Sequence, residues 1–438
     1  TLAGIATFDG NLRKLNRRVA IHEEDFWYDL CDPKMQAVRI MKNSWEIVSN
    51  PPPIFRRSQH QATQVLPAST GDYSLLDKYL NIESDEERLL LHCTVLSYFV
   101  PEIAHNVLVV SGSQGSAKST TVKLIRAIVD PSSTPTLALP SKKDDLVQHL
   151  FHHWTPVYDN LSGLTQWQSD MLCSAVTGDS SHKRTLYSNE DESLYAYKPC
   201  VILAGINVIP ANSDFLDRSV LVTMKRVPNA ERLDDSVLQA WFQDDRPRIL
   251  AGAFDMICKA RDIREKIGSG PRLTRMTDSE AWGLAFSEVL GHSRDFYMSA
   301  IERNEAQKNS EVVLSNPVAD SIANHMAKRE TWEGTATELY MILRESPGTC
   351  YRSWPNSPHA LTRVIKKCLV NLERIGIFIE FSRSATERKI HISRKKFCCI
   401  EECSKSNDKP LLHEADLKRT EMTQMTLFNP ESISASSG

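Results

Sequence analysis

The stretch Asn106-Val-Leu-Val-Val-Ser-Gly112-Ser113-Gln114-Gly115-Ser116-Ala117-Lys118-Ser119-Thr120-Thr-Val-Lys-Leu-Ile125 reads as a buried strand, a glycine-bearing turn and the start of a helix. Small residues in such a turn let backbone N–H groups converge on phosphate oxygens at a helix N-terminus, where the helix dipole already favours an anion. Lys118 is then placed to reach the β and γ phosphates of ATP and Ser119 to offer a hydroxyl to Mg²⁺, with Gly112 through Thr120 wrapping the nucleotide. One residue departs from the pattern, since Ala117 stands where glycine usually precedes the lysine. Its expected place is inside the helix at negative φ, where a methyl fits and at most tilts the lysine or slows turnover. A Gly/Ser-rich turn without a ligand is the plain alternative; the strand before it and the helix after it favour a phosphate loop.

At 438 residues the chain is too long for one typical core, and two or three domains are expected. Hydrophobic residues make up 41% and charged residues 24%, the balance of a globular protein in water. Apolar runs such as Val107–Val110 fall far short of the ~20 residues a membrane span needs, so no membrane contact is expected. No basic-then-apolar leader opens the sequence, and a start at Thr1 without Met reads as a fragment or a processed chain. Ten scattered cysteines do not form a disulfide framework, which points to a reducing compartment, the cytosol. A net charge of −3 excludes a globally basic nucleic-acid binder, so any contact with DNA or RNA has to come from local patches.

Ahead of the loop, Trp27–Asp32 and Ala37–Val48 alternate enough for two strands, with a turn at Lys42-Asn-Ser, before the punctuation of Pro51-Pro52-Pro53. Ser84, with Glu87 three residues on, opens a helix to Phe99. The loop's own helix ends near Asp130, and another short helix is expected around Asp144 to His152. Pro156-Val-Tyr-Asp159-Asn160 then ends an apolar strand in an acid, which places Asp159 to complete a metal site with Ser119. In helicases a glutamate commonly follows that acid; Asn160 can orient water but cannot accept its proton, so the general base must come from elsewhere. An ordinary strand closing on an Asp-Asn turn is the other reading.

Residues 165–177 fit an amphipathic helix closed by Gly178. Two β-prone arms follow within 181–198, the first carrying Lys183 and Arg184, which suit backbone phosphates, while Tyr187 or Tyr195 could stack on bases. A plain solvated hairpin remains the alternative. Cys200–Asn207 is a further buried strand, and its terminal amide, Asn207, can hold an attacking water. Eleven residues later Arg218 stands just before a strand, a candidate finger for a neighbouring subunit's γ-phosphate, with a local pair to Asp217 as the alternative.

From Ala230 to Arg329 the pattern is helical almost throughout. Beyond it come a short helix over Thr335–Leu343, a helix capped by Ser357-Pro358 with Leu361, Val364, Ile365, Leu369 and Leu372 on one face, and an alternating two-stranded wing over Phe378–Ile392. Residues 357–396 hold ten basic side chains against three acids, an excess that points to phosphate contact through residues such as Lys366, Lys367 and Arg388, although subunit packing would use the same order of elements. The tail from residue 398 is polar and is expected to be disordered. Its Cys398, Cys399, Cys403 and His413 lack the paired spacing of a zinc site. Gln424-Met-Thr-Leu-Phe428 resembles the short peptide by which bacterial replication proteins dock on the sliding clamp.

The order phosphate loop, acid-ending strand, basic hairpin, Asn-ending strand and arginine resembles the superfamily 3 helicases within the AAA+ group. More narrowly, Ser111–Ser119, Asp159-Asn-Leu-Ser162, Thr177-Gly178 followed by Lys183-Arg-Thr-Leu-Tyr187, and Leu216-Asp-Arg-Ser219 look like the helicase halves of phage- and plasmid-type primase-helicases, a group close to the poxvirus-type primase-helicase ATPases. The similarity covers roughly 25–226 and continues weakly to about 395. It implies an α/β fold, a P-loop NTPase core with a parallel sheet flanked by helices, joined to a helical region and a winged-helix-like C-terminal domain. The expected division is a β-containing segment 1–80, an ATPase core 81–228, a helical region 229–332, the winged-helix-like domain 333–397 and the tail 398–438. The implied activity is ATP- and Mg²⁺-dependent translocation by a homo-hexameric ring on single-stranded and forked DNA, with a primase or polymerase half outside this chain. The rival from another class is a nucleotide-switched DNA-binding ATPase, an origin binder or regulator that never unwinds, and Asn160 and Ala117 favour it.

Overall fold

The computed structural model describes residues 13–184, 192–206, 213–228, 230, 232–268, 274–344, 354–383 and 388–395. Near the N-terminus, the short strand β1 (Leu15–Asn16) leads into an antiparallel sheet of β2 (Val19–His22), β3 (Asp25–Asp29), β4 (Gln36–Ile40) and β5 (Trp45–Ser49), and β6 (Ile54–Phe55) returns to pair with β1. The chain turns between β4 and β5 on a bond from Met41 N–H to the Ser44 carbonyl, 2.9 Å. Side chains alternate across a strand. On β3 this sends Phe26 and Tyr28 into the main core beside Phe99, Phe254 and Trp282, while Trp27 joins Ala20 and Ala37 on the other face. The sheet is therefore not a free-standing module, since it shares its core with the helices that follow.

The central layer begins with α1 (Asp85–Ser97), whose N-cap Ser84 Oγ accepts from Glu87 N–H and whose first turn carries three acids suited to the helix dipole. Next come β7 (Val107–Gly112), α2 (Lys118–Val129), α3 (Lys143–His152), β8 (Val157–Leu161), α4 (Gln166–Thr177), the antiparallel hairpin β9 (Asp179–Arg184) and β10 (Glu192–Tyr197), then β11 (Ile202–Gly205), α5 (Ser213–Leu216) and β12 (Ser219–Met224). Four of these strands form a parallel sheet in the order β12-β7-β11-β8. A parallel sheet buries both faces, which is why its strands read as apolar runs without alternation. Leu108, Val110, Ile202 and Val222 pack toward α1 and α2, whereas Val107, Val109, Leu203 and Leu221 pack toward α3 and α4.

Four helices follow: α6 (Asp235–Ile267), α7 (Thr277–Val289), α8 (Arg294–Ser315) and α9 (Pro317–Met326). The C-terminal group comprises β13 (Thr331–Thr335), α10 (Ala336–Arg344), α11 (Pro358–Arg374), β14 (Ile377–Arg383) and β15 (Arg388–Arg394), with the sheet ordered β13-β15-β14 and antiparallel. Here the sequence expectation needs two corrections. The C-terminal sheet has a third strand, β13, beside the two expected, and Thr335 ends that strand instead of lying in the helix. It caps α10, its Oγ1 accepting from Glu338 N–H at 3.2 Å while the Glu338 carboxylate accepts from Thr335 N–H at 2.7 Å, so two orphan donors are met reciprocally. The core of this group also draws in Val313, Val318, Ile322 and Met326 from α8 and α9.

The described residues through Arg394 belong to one compact unit; of a second, Lys395–Gly438, only Lys395 is described. The six described cysteines are free thiols, and among the described residues no helix is long and apolar enough to cross a membrane.

Candidate functional site

Strand β7 delivers the chain to the carboxyl edge of the parallel sheet, where strand-to-helix loops carry backbone donors and helix N-termini. Gly112 closes the strand and Lys118 opens α2. Within the loop Gly115 has φ +80° and Ala117 has φ +62°, both left-handed. Ala117 is thus not inside the helix at negative φ, as expected from the sequence; it is the N-cap residue, and its methyl there costs about 1–2 kcal/mol relative to a right-handed conformation. The left-handed turn just before Lys118 is the reason glycine suits that position.

Lys118 Nζ folds over its own loop, donating to the carbonyls of Gly112 and Ser113 at 2.7 Å each and to Ser116 Oγ at 3.3 Å. Partial burial lowers its pKa, and the charge of nearby Asp159 opposes that shift. Both residues lie at the carboxyl edge of the one parallel sheet, Lys118 after β7 and Asp159 in β8. At the start of α2 the Ser119 side chain is exposed and Thr120 is half-buried, as the N-terminal turn of a helix over a loop requires.

Asp159 and Asn160 sit in an irregularity of β8. Tyr158 pairs with Leu203 and Leu161 with Gly205, so two residues of β8 face one of β11. Such a bulge re-aims side chains. Asn160 takes φ +59°, a conformation asparagine adopts more readily than most residues, and its N–H donates to Asp159 Oδ1 at 2.7 Å. Asp159 is half-buried and Asn160 exposed.

Arg218, at the turn into β12, has a side chain only 14% exposed and pairs with Asp214, whose carbonyl also accepts from it at 2.8 Å. The alternative partner Asp217 is taken by Arg374, the last residue of α11, at 3.0 Å. Lys308, nearly fully buried, donates to the carbonyls of Leu216 and Ser219 on either side. The Arg218 turn is thus clamped by α8 and by α11.

In the hairpin, Lys183 lies opposite Ser193 and Arg184 opposite Glu192. Tyr187, Asn207, the cysteines at 398, 399 and 403, and Gln424–Phe428 lie outside the described residues. Toward the C-terminus, positions 359, 363 and 366 follow one face of α11 and meet the hairpin of β14 and β15 around a cleft of about 580 Å³ lined by His359, Arg363, Lys366, Phe381, Arg388 and Lys389. Lys366 Nζ stands 5.3 Å from the Phe381 ring centre, and Lys389 is held by Glu333 at 2.9 Å. Lys366 and Arg388 therefore converge, whereas Lys367 is exposed outside the cleft lining.

Two arginines near these sites escape a reading of the sequence. Arg374 enters it only as part of a basic excess. Arg232 lies in a polar stretch before α6 with no motif around it, and only the fold shows it, by bringing its guanidinium over Gly115.

Two family models match the chain in order: Actinomycete integrative conjugative element replication protein over residues 74–285, and AICE RepA C-terminal domain over residues 318–406. No curated protein matches. Among solved structures the chain is similar to the A form apo structure of the NrS-1 C-terminal region, at 10% identity and TM-score 0.36, covering 84% of this chain and 97% of that one. A second apo structure of the NrS-1 C-terminal region matches at 11% identity and TM-score 0.34, covering 83% and 95%. The two family models describe successive parts of one replication protein and together span more than two thirds of the sequence, and the chain belongs to the family of actinomycete integrative conjugative element replication proteins.

Proposed function

We propose that this replication protein is an ATP-driven DNA motor with a P-loop NTPase core, acting as a homo-hexameric ring on single-stranded and forked DNA. The observation that carries the proposal is the placement of Lys118 and Asp159 at the same carboxyl edge of the parallel sheet: a cation on the first turn of the helix that follows β7 and its small-residue loop, and a carboxylate on the bulge of β8. Residues Gly112–Thr120 would cradle the phosphates, and the exposed Ser119 hydroxyl with the Asp159 carboxylate suits a hard cation such as Mg²⁺, which takes oxygen ligands. The ion would supply charge neutralisation on the phosphates. In this chain Lys118 binds and orients, Asp159 positions, and Asn160 with Asn207 orients water. Arg218 is assigned to the neighbouring subunit's nucleotide, and it would exchange Asp214 for a phosphate on assembly.

The basic faces fall into two groups. Lys183 and Arg184 on the β9–β10 hairpin would follow the strand in the channel, while Lys366, Lys367 and Arg388 on a winged-helix-like C-terminal domain would hold backbone phosphate. A primase or polymerase partner and clamp docking through Gln424–Phe428 are further parts of the proposal.

The second reading, a nucleotide-switched DNA-binding ATPase that does not unwind, is favoured by Asn160, which carries no proton-accepting carboxylate, and by the left-handed Ala117. DNA-stimulated ATP turnover measured beside strand displacement on a forked duplex separates the two. Both activities together support the motor. Turnover without displacement supports the switch, and an absence of turnover with or without DNA removes both.

A further inference from the structure

We infer that Arg232 is a second phosphate-binding cation of the same nucleotide site, acting in cis from the far side of the loop. The inference rests on the proposed nucleotide site and adds a residue to it. After leaving β12 the chain does not depart from the loop: Val227 N–H donates to the Gly115 carbonyl at 3.1 Å, docking the segment onto the loop's centre. Five residues on, the Arg232 guanidinium lies so close over Gly115 that a methyl on that glycine would come within 2.5 Å of Nη2. Gly115 also has φ +80°, so the position favours glycine twice, through backbone conformation and through the space that Arg232 takes.

Arg232 is exposed and makes no hydrogen bond or ion pair with any described residue. Among the described residues no acid meets this guanidinium where it lies on the glycine backbone. It shares this short loop with Lys118, at the positive end of α2, and Asp159 is the carboxylate that acts on Lys118. Arg232 and Lys118 thus border one small-residue loop, and an anion bound on that loop would be attracted by both charges. A guanidinium offers a planar fork of donors that fits phosphate oxygens, whereas Lys118 contributes a point charge. The ligand class that satisfies both is a nucleoside polyphosphate.

The test is calorimetric titration of the full chain with ATP, ADP and AMP at two ionic strengths, for the parental protein, Arg232→Ala, Arg232→Lys and Lys118→Ala. The inference expects Arg232→Ala to weaken ATP at least tenfold, with a loss that shrinks from ATP to AMP and a flatter salt dependence, and Arg232→Lys to recover part of it. Unfolding curves without nucleotide should match the parental curve, because the side chain is exposed and unpaired among the described residues. Parental ATP affinity in Arg232→Ala, with Lys118→Ala weakened, overturns the inference and leaves the nucleotide site standing. An equal loss for ATP, ADP and AMP also overturns it, since that marks a structural role. A parental chain that takes up no ATP overturns the proposed function itself and this inference with it.

Discussion

Replacing Asp130 by alanine tests how the helix that begins at Lys118 is anchored at its other end. Asp130 is the C-cap of α2, and its carboxylate meets Arg18, in the bend just ahead of β2, at 2.9 Å, with side chains 1% and 0% exposed. Its second oxygen accepts from Thr155 N–H at 3.0 Å. Arg18 donates in turn to the carbonyls of Asp29 at 3.0 Å and Pro131 at 3.2 Å. Losing the carboxylate leaves a buried guanidinium without its counter-charge, a change that costs about 3–5 kcal/mol, and a buried N–H without an acceptor, about 1–3 kcal/mol more. The variant should therefore lose about 5 kcal/mol, a large share of the stability of most domains. Equilibrium unfolding in urea, followed through the transition that reports on the parallel-sheet core, reads this as a lower midpoint at unchanged slope. Arg18→Ala should cost a similar amount, and the double variant less than the sum of the two. A loss under about 1 kcal/mol in Asp130→Ala, or strict additivity in the double variant, would refute the idea that this pair joins the sheet to α2.

Acid should act on the same region in two stages. His60 is pushed down to about 4 and His153 to about 3, by burial first and, for His153, by the His60 ring 3.7 Å away. Both are depressed, so their contribution is present above the unfolded value near 6.5 and is lost as pH falls toward 4. Burial works to raise the Asp130 pKa, but Arg18 and Arg126 hold it below the ordinary carboxylate range, so its contribution disappears only below about pH 4. A urea midpoint that stays flat from pH 7 to pH 4 would contradict the first stage. Ala117→Gly should keep or slightly raise the melting temperature, because release of about 1–2 kcal/mol of left-handed strain exceeds the ~0.4–1 kcal/mol gained by the unfolded chain; a clear drop would mean that the left-handed assignment is mistaken. Replacing Lys366 and Arg388 together should flatten the log–log salt dependence of DNA affinity by roughly two units, one per phosphate contact, and Lys367→Ala should change it less. Unchanged slopes would reassign the cleft to protein packing.

The parallel sheet is legible in the sequence because its physics is local. A strand buried on both faces must be apolar throughout, and Val107–Val110 could hardly be anything else. Caps are legible for the same reason, Ser84 and Ser357 each sitting one residue ahead of the helix they begin. What stays hidden depends on neighbours distant along the chain. Thr331–Thr335 contains Gly334 and two threonines with little apolar pattern, and it becomes a strand because β15 offers it a partner. Ala117 resists a sequence reading because its backbone angle follows from how the loop reverses, and a one-letter departure from a motif does not state it. Arg218 has a sequence neighbour at Asp217, yet α5 supplies Asp214 one helical turn back and α11 takes Asp217 for Arg374. Arg232 carries no local signal at all.

The central claim is that residues Gly112–Thr120 with Asp159 form a working nucleotide site, and the most direct measurement is ATP hydrolysis with Mg²⁺, with and without single-stranded DNA, for parental protein and Lys118→Ala. The expected result is turnover that DNA stimulates in the parental chain and that Lys118→Ala abolishes, while the unfolding curve of the variant stays close to parental because the lysine head group is only partly buried. Equal turnover in the two proteins would contradict the account.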